Sequence, residues 1–132
     1  ARWFASDTND WEQLKVAIAN DKWGGPHDET AVIAGQLESG PTVEIVSSVQ
    51  FGPYNRLEIF GDKGQAICED TMGRAGAGEI RINGEVMPFE VTNPFESQLK
   101  YLVQCINAGM IPRADGRTGL RNIKDLLLAI DN

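Results

Sequence analysis

The spacing of apolar residues changes period along this chain, and each change marks an element. Trp11, Leu14 and Ile18 recur at intervals of three and four behind Asn9 and Asp10, either of which can cap a helix, so the spacing predicts a helix there. A short strand over Arg2 to Ala5 precedes it, and Lys22 to Pro26 ends it. The period then drops to two. Ala31, Ile33, Gly35 and Leu37 alternate with Thr30, Val32, Ala34 and Gln36; beyond a turn at Ser39-Gly40-Pro41, Val43, Ile45, Ser47 and Val49 alternate with Thr42, Glu44, Val46, Ser48 and Gln50. Two alternating runs around a Gly-Pro turn predict an antiparallel hairpin.

Gly52-Pro53 interrupts the ladder, and two further strands follow, Arg56 to Phe60 and Gln65 to Glu69, around Gly61-Asp62-Lys63-Gly64. A Gly-rich connection, Thr71 to Gly78, leads to a last pair, Glu79 to Asn83 and Glu85 to Phe89. Asn83-Gly84 between them suits a type I′ turn, whose two central residues need positive φ. The final third is helical. Asn93 is placed as N-cap, Pro94 at the first helical position, Glu96 in a capping-box-like pattern and Gly109 as the left-handed C-terminal residue. Phe95, Leu99, Leu102, Val103 and Ile106 form one apolar stripe; Leu120, Ile123, Leu127 and Ile130 form another behind Asp115. Strands followed by helices indicate an α+β fold: an open-faced, largely antiparallel sheet with helices on one face. The helix-free face, with Thr30, Val32, Ala34, Val46, Ser48 and Phe60, is too apolar for full exposure and too polar for a core. That mixture suits either a subunit interface or a solvated face with scattered hydrophobes.

Composition narrows the function. With 132 residues, a single domain spanning 1–132 is expected. A net charge of −7 without a basic block argues against nucleic acid or an anionic membrane surface as partner, since both require clustered Lys and Arg. No run approaches the ~20 apolar residues of a membrane span. No secretory leader pattern is visible, and Cys68 and Cys105 read as reduced thiols of a cytoplasmic protein. A chain beginning at Ala1 reads as a processed or excised piece.

Candidate chemistry is sparse. Gly73, Gly76 and Gly78 do not form a dinucleotide fingerprint: counted from Gly76, the sixth position is Arg81, and the glycines precede a strand instead of opening a helix. They read as a flexible connection, and Gly61 to Gly64 as a hairpin turn. His27 beside Asp28 has no nucleophile context, and Glu69 and Asp70, neighbours on a strand, point to opposite faces. No catalytic, cofactor-binding or metal-binding set is expected. Gln50, Phe51, Tyr54 and Asn55 combine two rings with two amides. Two readings fit them equally: contact with a sugar or polyol, or a loop packed on its own aromatics.

The order of the motifs adds a resemblance. Asp28-Glu29-Thr30-Ala31, then Ser39-Gly40 with Thr42, then Leu57-Glu58-Ile59-Phe60-Gly61 with Gly64, then Phe95 with Gln98, Ala108-Gly109 and Asp115-Gly116 follow one another over residues 28–130. This resembles the C-terminal domain of the Gfo/Idh/MocA family of NAD(P)-dependent oxidoreductases. The resemblance implies a homodimer or homotetramer joined through the open sheet face, and a domain that walls the site of a sugar- or polyol-like substrate. Phe51-Gly52 matches an aromatic-Gly position that faces substrate in some relatives; Gln50, Tyr54 and Asn55 lie near it. The family's Rossmann fingerprint, its Glu-Lys-Pro segment and its histidine-bearing helix have no counterpart here, and His27 does not replace that histidine. NAD or NADP is therefore implied for a longer parent, and this chain alone is expected to be inactive. The alternative is a stand-alone assembly or ligand-binding module with the same fold.

Overall fold

In the computed structural model, residues 10–20, 22–52 and 54–130 are described; the strand expected at Arg2 to Ala5 lies outside them. The described chain is α+β, with two antiparallel sheets and two helices. The order is β1 (Trp11–Ala19), β2 (Thr30–Leu37), β3 (Thr42–Ser48), β4 (Arg56–Gly61), β5 (Gly64–Glu69), β6 (Glu79–Ile82), β7 (Glu85–Val86), α1 (Pro94–Ala108) and α2 (Gly116–Ile130). Two compact units result. One joins residues 1–52 to 116–132, and the other runs from Pro53 to Asp115.

The first unit holds the sheet β1-β2-β3, with α2 packed against β1. Its first strand corrects the helix expected behind Asp10. Trp11 pairs with Leu37 and Gln13 with Gln36, so Glu12 is an extra residue in a β-bulge. The bulge inverts the parity of the strand. Trp11 and Leu14, three apart, therefore reach the same face, opposite Leu37 and Gly35. A spacing of three is thus produced without a helical turn. Beyond the bulge, Leu14, Val16 and Ile18 alternate as strand residues, opposite Gly35, Ile33 and Ala31. Leu14, Leu37 and Ala129 are buried. A side chain at Gly35 would collide with the backbone of Gln13 and with the Trp11 ring, which lies over that glycine.

β2 and β3 pair in the register that alternation predicts, with Val32 opposite Val46 and Thr30 opposite Ser48. Val46 is exposed. Phe60, expected on the same sheet face, is exposed too but lies on β4 of the other sheet.

The second unit holds β4-β5-β6-β7 and α1. Asn83 and Gly84 take φ of 52° and 87°, as a type I′ turn requires. β7 is shorter than expected, Glu85–Val86, with one further ladder bond from Met87 N–H to the Ile80 carbonyl at 2.8 Å. The caps of α1 follow the sequence. Asn93 Oδ1 accepts from the N–H groups of Phe95 and Glu96 at 3.0 and 3.3 Å. Gly109 is left-handed, and the Gly109 and Met110 N–H groups close on the Ile106 and Cys105 carbonyls in a Schellman motif.

Neither apolar helix stripe forms a closed core. Phe95, Leu99, Leu102, Val103 and Ile106 on α1, and Leu120, Ile123, Leu127 and Ile130 on α2, are all exposed. The 3.6-residue period shows which face of a helix is apolar; it does not say what covers that face.

Candidate functional site

The Gly-rich segments have a definite structural use. Gly61 and Gly64 close the β4–β5 hairpin. Asn83, from the neighbouring turn, lies across Gly64: its Oδ1 accepts from Gln65 N–H at 2.9 Å and its own N–H donates to the Gln65 carbonyl at 2.9 Å. Gly76, at φ 62°, abuts the Thr92 carbonyl just before α1, and Gly78, at φ 129°, abuts the backbone of Glu69 and Asp70. These glycines allow close backbone approach, so the flexible connection expected at 71–78 is a packed one. Among the described residues no glycine turn joins a strand end to a helix start, and the first free N–H groups of α1 are taken by Asn93. The described residues therefore form no cradle of the kind that holds a dinucleotide pyrophosphate. No group of three or more His, Cys, Asp or Glu among the described residues can hold a metal.

The four residues singled out in the sequence fall in both units. Tyr54 and Asn55 belong to the second. The exposed Tyr54 donates from its hydroxyl to Glu69 Oε1 at 3.3 Å, and the same oxygen takes Arg56 Nη1 at 3.1 Å. Arg56 also pairs with Glu58 at 2.6 Å. Its guanidinium is held above the usual arginine value, first by the neighbouring Tyr54 and then by Glu58. Half-buried Asn55 is committed to the turn after β5: its Oδ1 accepts from Met72 N–H at 2.9 Å and its N–H donates to Asp70 Oδ1 at 3.3 Å. Glu69 and Asp70 thus serve different partners.

Gln50 and Phe51 belong to the first unit. Phe51 is 66% exposed, whereas Gln50 is half-buried and donates from Nε2 to Glu29 Oε2 at 2.6 Å. Glu29 was not among the candidates, yet it is the most constrained polar residue of the unit. It is 5% exposed, the one buried charged residue among those described. Besides Gln50, its carboxylate accepts from Trp23 N–H at 2.6 Å and Lys22 N–H at 3.0 Å. Its own N–H donates to the Ala19 carbonyl, and its carbonyl accepts from Val49 N–H and Ser48 Oγ. The sequence carries a signal for it. Glu29 has the same parity as Ala31, Ile33 and Leu37, so it places a charge on the core-facing side of its strand, where a charge must be bonded. Trp23, on the loop that Glu29 anchors, is 59% exposed, with Lys22 Nζ 5.1 Å from its ring centroid. His27 is exposed on the same loop.

Among solved structures there are likenesses to this fold. The chain is similar to the crystal structure of an aldose-aldose oxidoreductase from Caulobacter crescentus complexed with glycerol. The TM-score is 0.73 and the identity 24%, covering 87% of this chain and 36% of that one. The likeness establishes the fold. The chain spans about a third of the length of that structure. No family model and no curated protein sequence matches it. No helix among the described residues is long and apolar enough to cross a membrane.

Proposed function

We propose that this chain is the substrate-binding and oligomer-forming part of an oxidoreductase acting on a sugar- or polyol-like substrate. The observation that carries this reading is the fold shared with a sugar oxidoreductase over most of the chain but about a third of that structure. The motif order from Asp28 to Gly116 agrees with it. So do the exposed apolar stripes of α1 and α2, which argue for further protein surface against them. A nicotinamide cofactor does not fit the residues described here, so binding it and moving the reacting proton fall to other parts of the parent protein. This chain's own contribution is recognition. Phe51 in the first unit and Tyr54 in the second each expose a ring that gives flat apolar surface for sugar C–H groups, and side-chain amides pair with hydroxyls. Gln50 and Asn55 spend part of that capacity on Glu29 and Met72, which fixes their orientation. The open face around Val32 and Val46 joins copies of the chain.

The test is the full-length gene product assayed with aldoses and polyols by the absorbance of reduced nicotinamide. Substrate-dependent reduction is expected. Phe51→Ala should lower kcat/KM by up to about tenfold with cofactor affinity unchanged, the scale of one lost aromatic contact. A full-length product that turns over no aldose or polyol overturns the reading.

A further inference from the structure

The first unit contains an arrangement that the fold alone does not require. Glu29 takes a carboxylate out of water and surrounds it with three donors: the N–H groups of Lys22 and Trp23 and the amide of Gln50. Burying an ion costs more than packing apolar groups of the same volume, so stability is a poor reason to keep one; fixing position is a better one. The groups fixed here belong to two separate loops. One donor is the backbone of Trp23, and another is the side chain of the residue next to Phe51. Both rings stand mostly in water, 59% and 66% exposed. Gln50 is tied a second time, its N–H donating to Ser48 Oγ at 3.1 Å, and that hydroxyl also pairs with Thr30 Oγ1 at 2.7 Å and with the Glu29 carbonyl at 3.2 Å. Lys22 stacks its ammonium over Trp23, which further restricts the indole. Two large rings left in water forgo burial, yet each sits on a segment tied to one buried side chain.

We propose that Trp23 and Phe51 form a sugar-facing pair whose placement is set by Glu29, making Glu29 a positioning residue and Trp23 a binding residue. The ligand class is a sugar or polyol, whose C–H faces lie against the rings while its hydroxyls reach loop polar groups. This rests on the substrate class of the proposed function, but it places a contact at Trp23, outside the loop of residues 50–55.

The test uses the whole 132-residue chain with glucose, xylose and glycerol as probes, followed by heteronuclear NMR titration. The Trp23 indole signal is assigned by its loss in Trp23→Phe. Saturable shifts at Trp23 and Phe51 are expected, and Trp23→Ala and Phe51→Ala should each raise Kd by about three- to tenfold, the scale of a lost aromatic contact. Glu29→Gln should raise Kd as well, but should add much less in the Trp23→Ala, Phe51→Ala background, because it acts mainly through those rings. A generally loosened fold would weaken binding equally in both backgrounds. If Glu29→Gln does not fold, Gln50→Ala releases the Phe51 side and should weaken binding more while Phe51 is present than in the Phe51→Ala background, where only the amide's own contact is lost. An unchanged Kd after loss of both rings overturns the proposal and leaves the substrate class standing. Absence of binding overturns it too, and if the full-length product also turns over no sugar or polyol, the functional reading falls with it.

Discussion

Gly64→Ala tests whether the β4–β5 turn is held by its neighbour or merely closes a hairpin. Two costs are expected. Gly64 has φ 141°, a conformation that L side chains rarely adopt, and forcing one there costs about 1–3 kcal/mol. The new Cβ would also fall within the Asn83 carboxamide, so Asn83 must swing away and leave the Gln65 N–H without its acceptor, a further ~0.5–1.5 kcal/mol. Together they come to about 1.5–4.5 kcal/mol, or roughly 10- to 1,600-fold faster local opening at 1.4 kcal/mol per tenfold. The assay must be local, because residues 53–115 contain no tryptophan and fluorescence would not report on this turn. Amide hydrogen exchange at Gln65 and Asn83, whose N–H groups bond across the two turns, does. Two controls separate the terms. Gly84→Ala meets nothing within 4 Å, so at φ 87° it should show the backbone cost alone, about 1–2 kcal/mol. In an Asn83→Gly background, Gly64→Ala should keep its backbone cost and lose the steric one. Equal effects for Gly64→Ala in both backgrounds would refute the interlock of the two turns.

Three further outcomes are expected. Asn93→Ala removes the acceptor for two N–H groups at the start of α1 and should destabilise the chain by about 1 kcal/mol in thermal unfolding followed by circular dichroism. If the open face around Val46 joins copies, light scattering should show self-association of the purified chain that Val46→Asp abolishes, because an unpaired carboxylate buried there is costly; a clean monomer of the unmutated chain at high concentration removes that interface. Calorimetric titration of the chain with NAD(H) or NADP(H) should show no binding, as no glycine turn opens a helix at a strand end among the described residues; micromolar affinity would contradict this.

Much of the fold was legible where local chemistry and tertiary structure agree. The caps of α1 are short-range: Asn93, Pro94 and Gly109 each act within a few residues, and each is found in its expected role. The β2–β3 register follows from alternation, and the β6–β7 turn follows from Asn83-Gly84, the pair that best tolerates two successive positive φ values. The error at Trp11–Ala19 has the opposite cause. A bulge exists only in relation to a partner strand, so its effect on parity could not be seen in β1 alone, and a spacing of three resembled a helix. The run Leu14-Val16-Ile18, with two β-branched residues, was the evidence on the other side.

The candidate site divides in the same way. Gln50, Phe51, Tyr54 and Asn55 drew attention through residue type, and type does not reveal which amide is already engaged. Gln50 is bonded to Glu29, Asn55 to Met72 and the Tyr54 hydroxyl to Glu69, so three of the four have a structural duty that any substrate contact would have to share. Glu29 was passed over for the converse reason. Acidic residues before a strand are usually solvated, and the donors that make this one different come from Lys22, Trp23 and Gln50, on both sides of it in the chain. Two of those donors are backbone groups, which carry no side-chain identity for a sequence to display. Parity was the available clue: a carboxylate in line with Ala31, Ile33 and Leu37 is either an error of register or a bonded core charge. The register is the one alternation predicts, so the charge had to be bonded, and the groups that bond it are where a binding surface was to be sought.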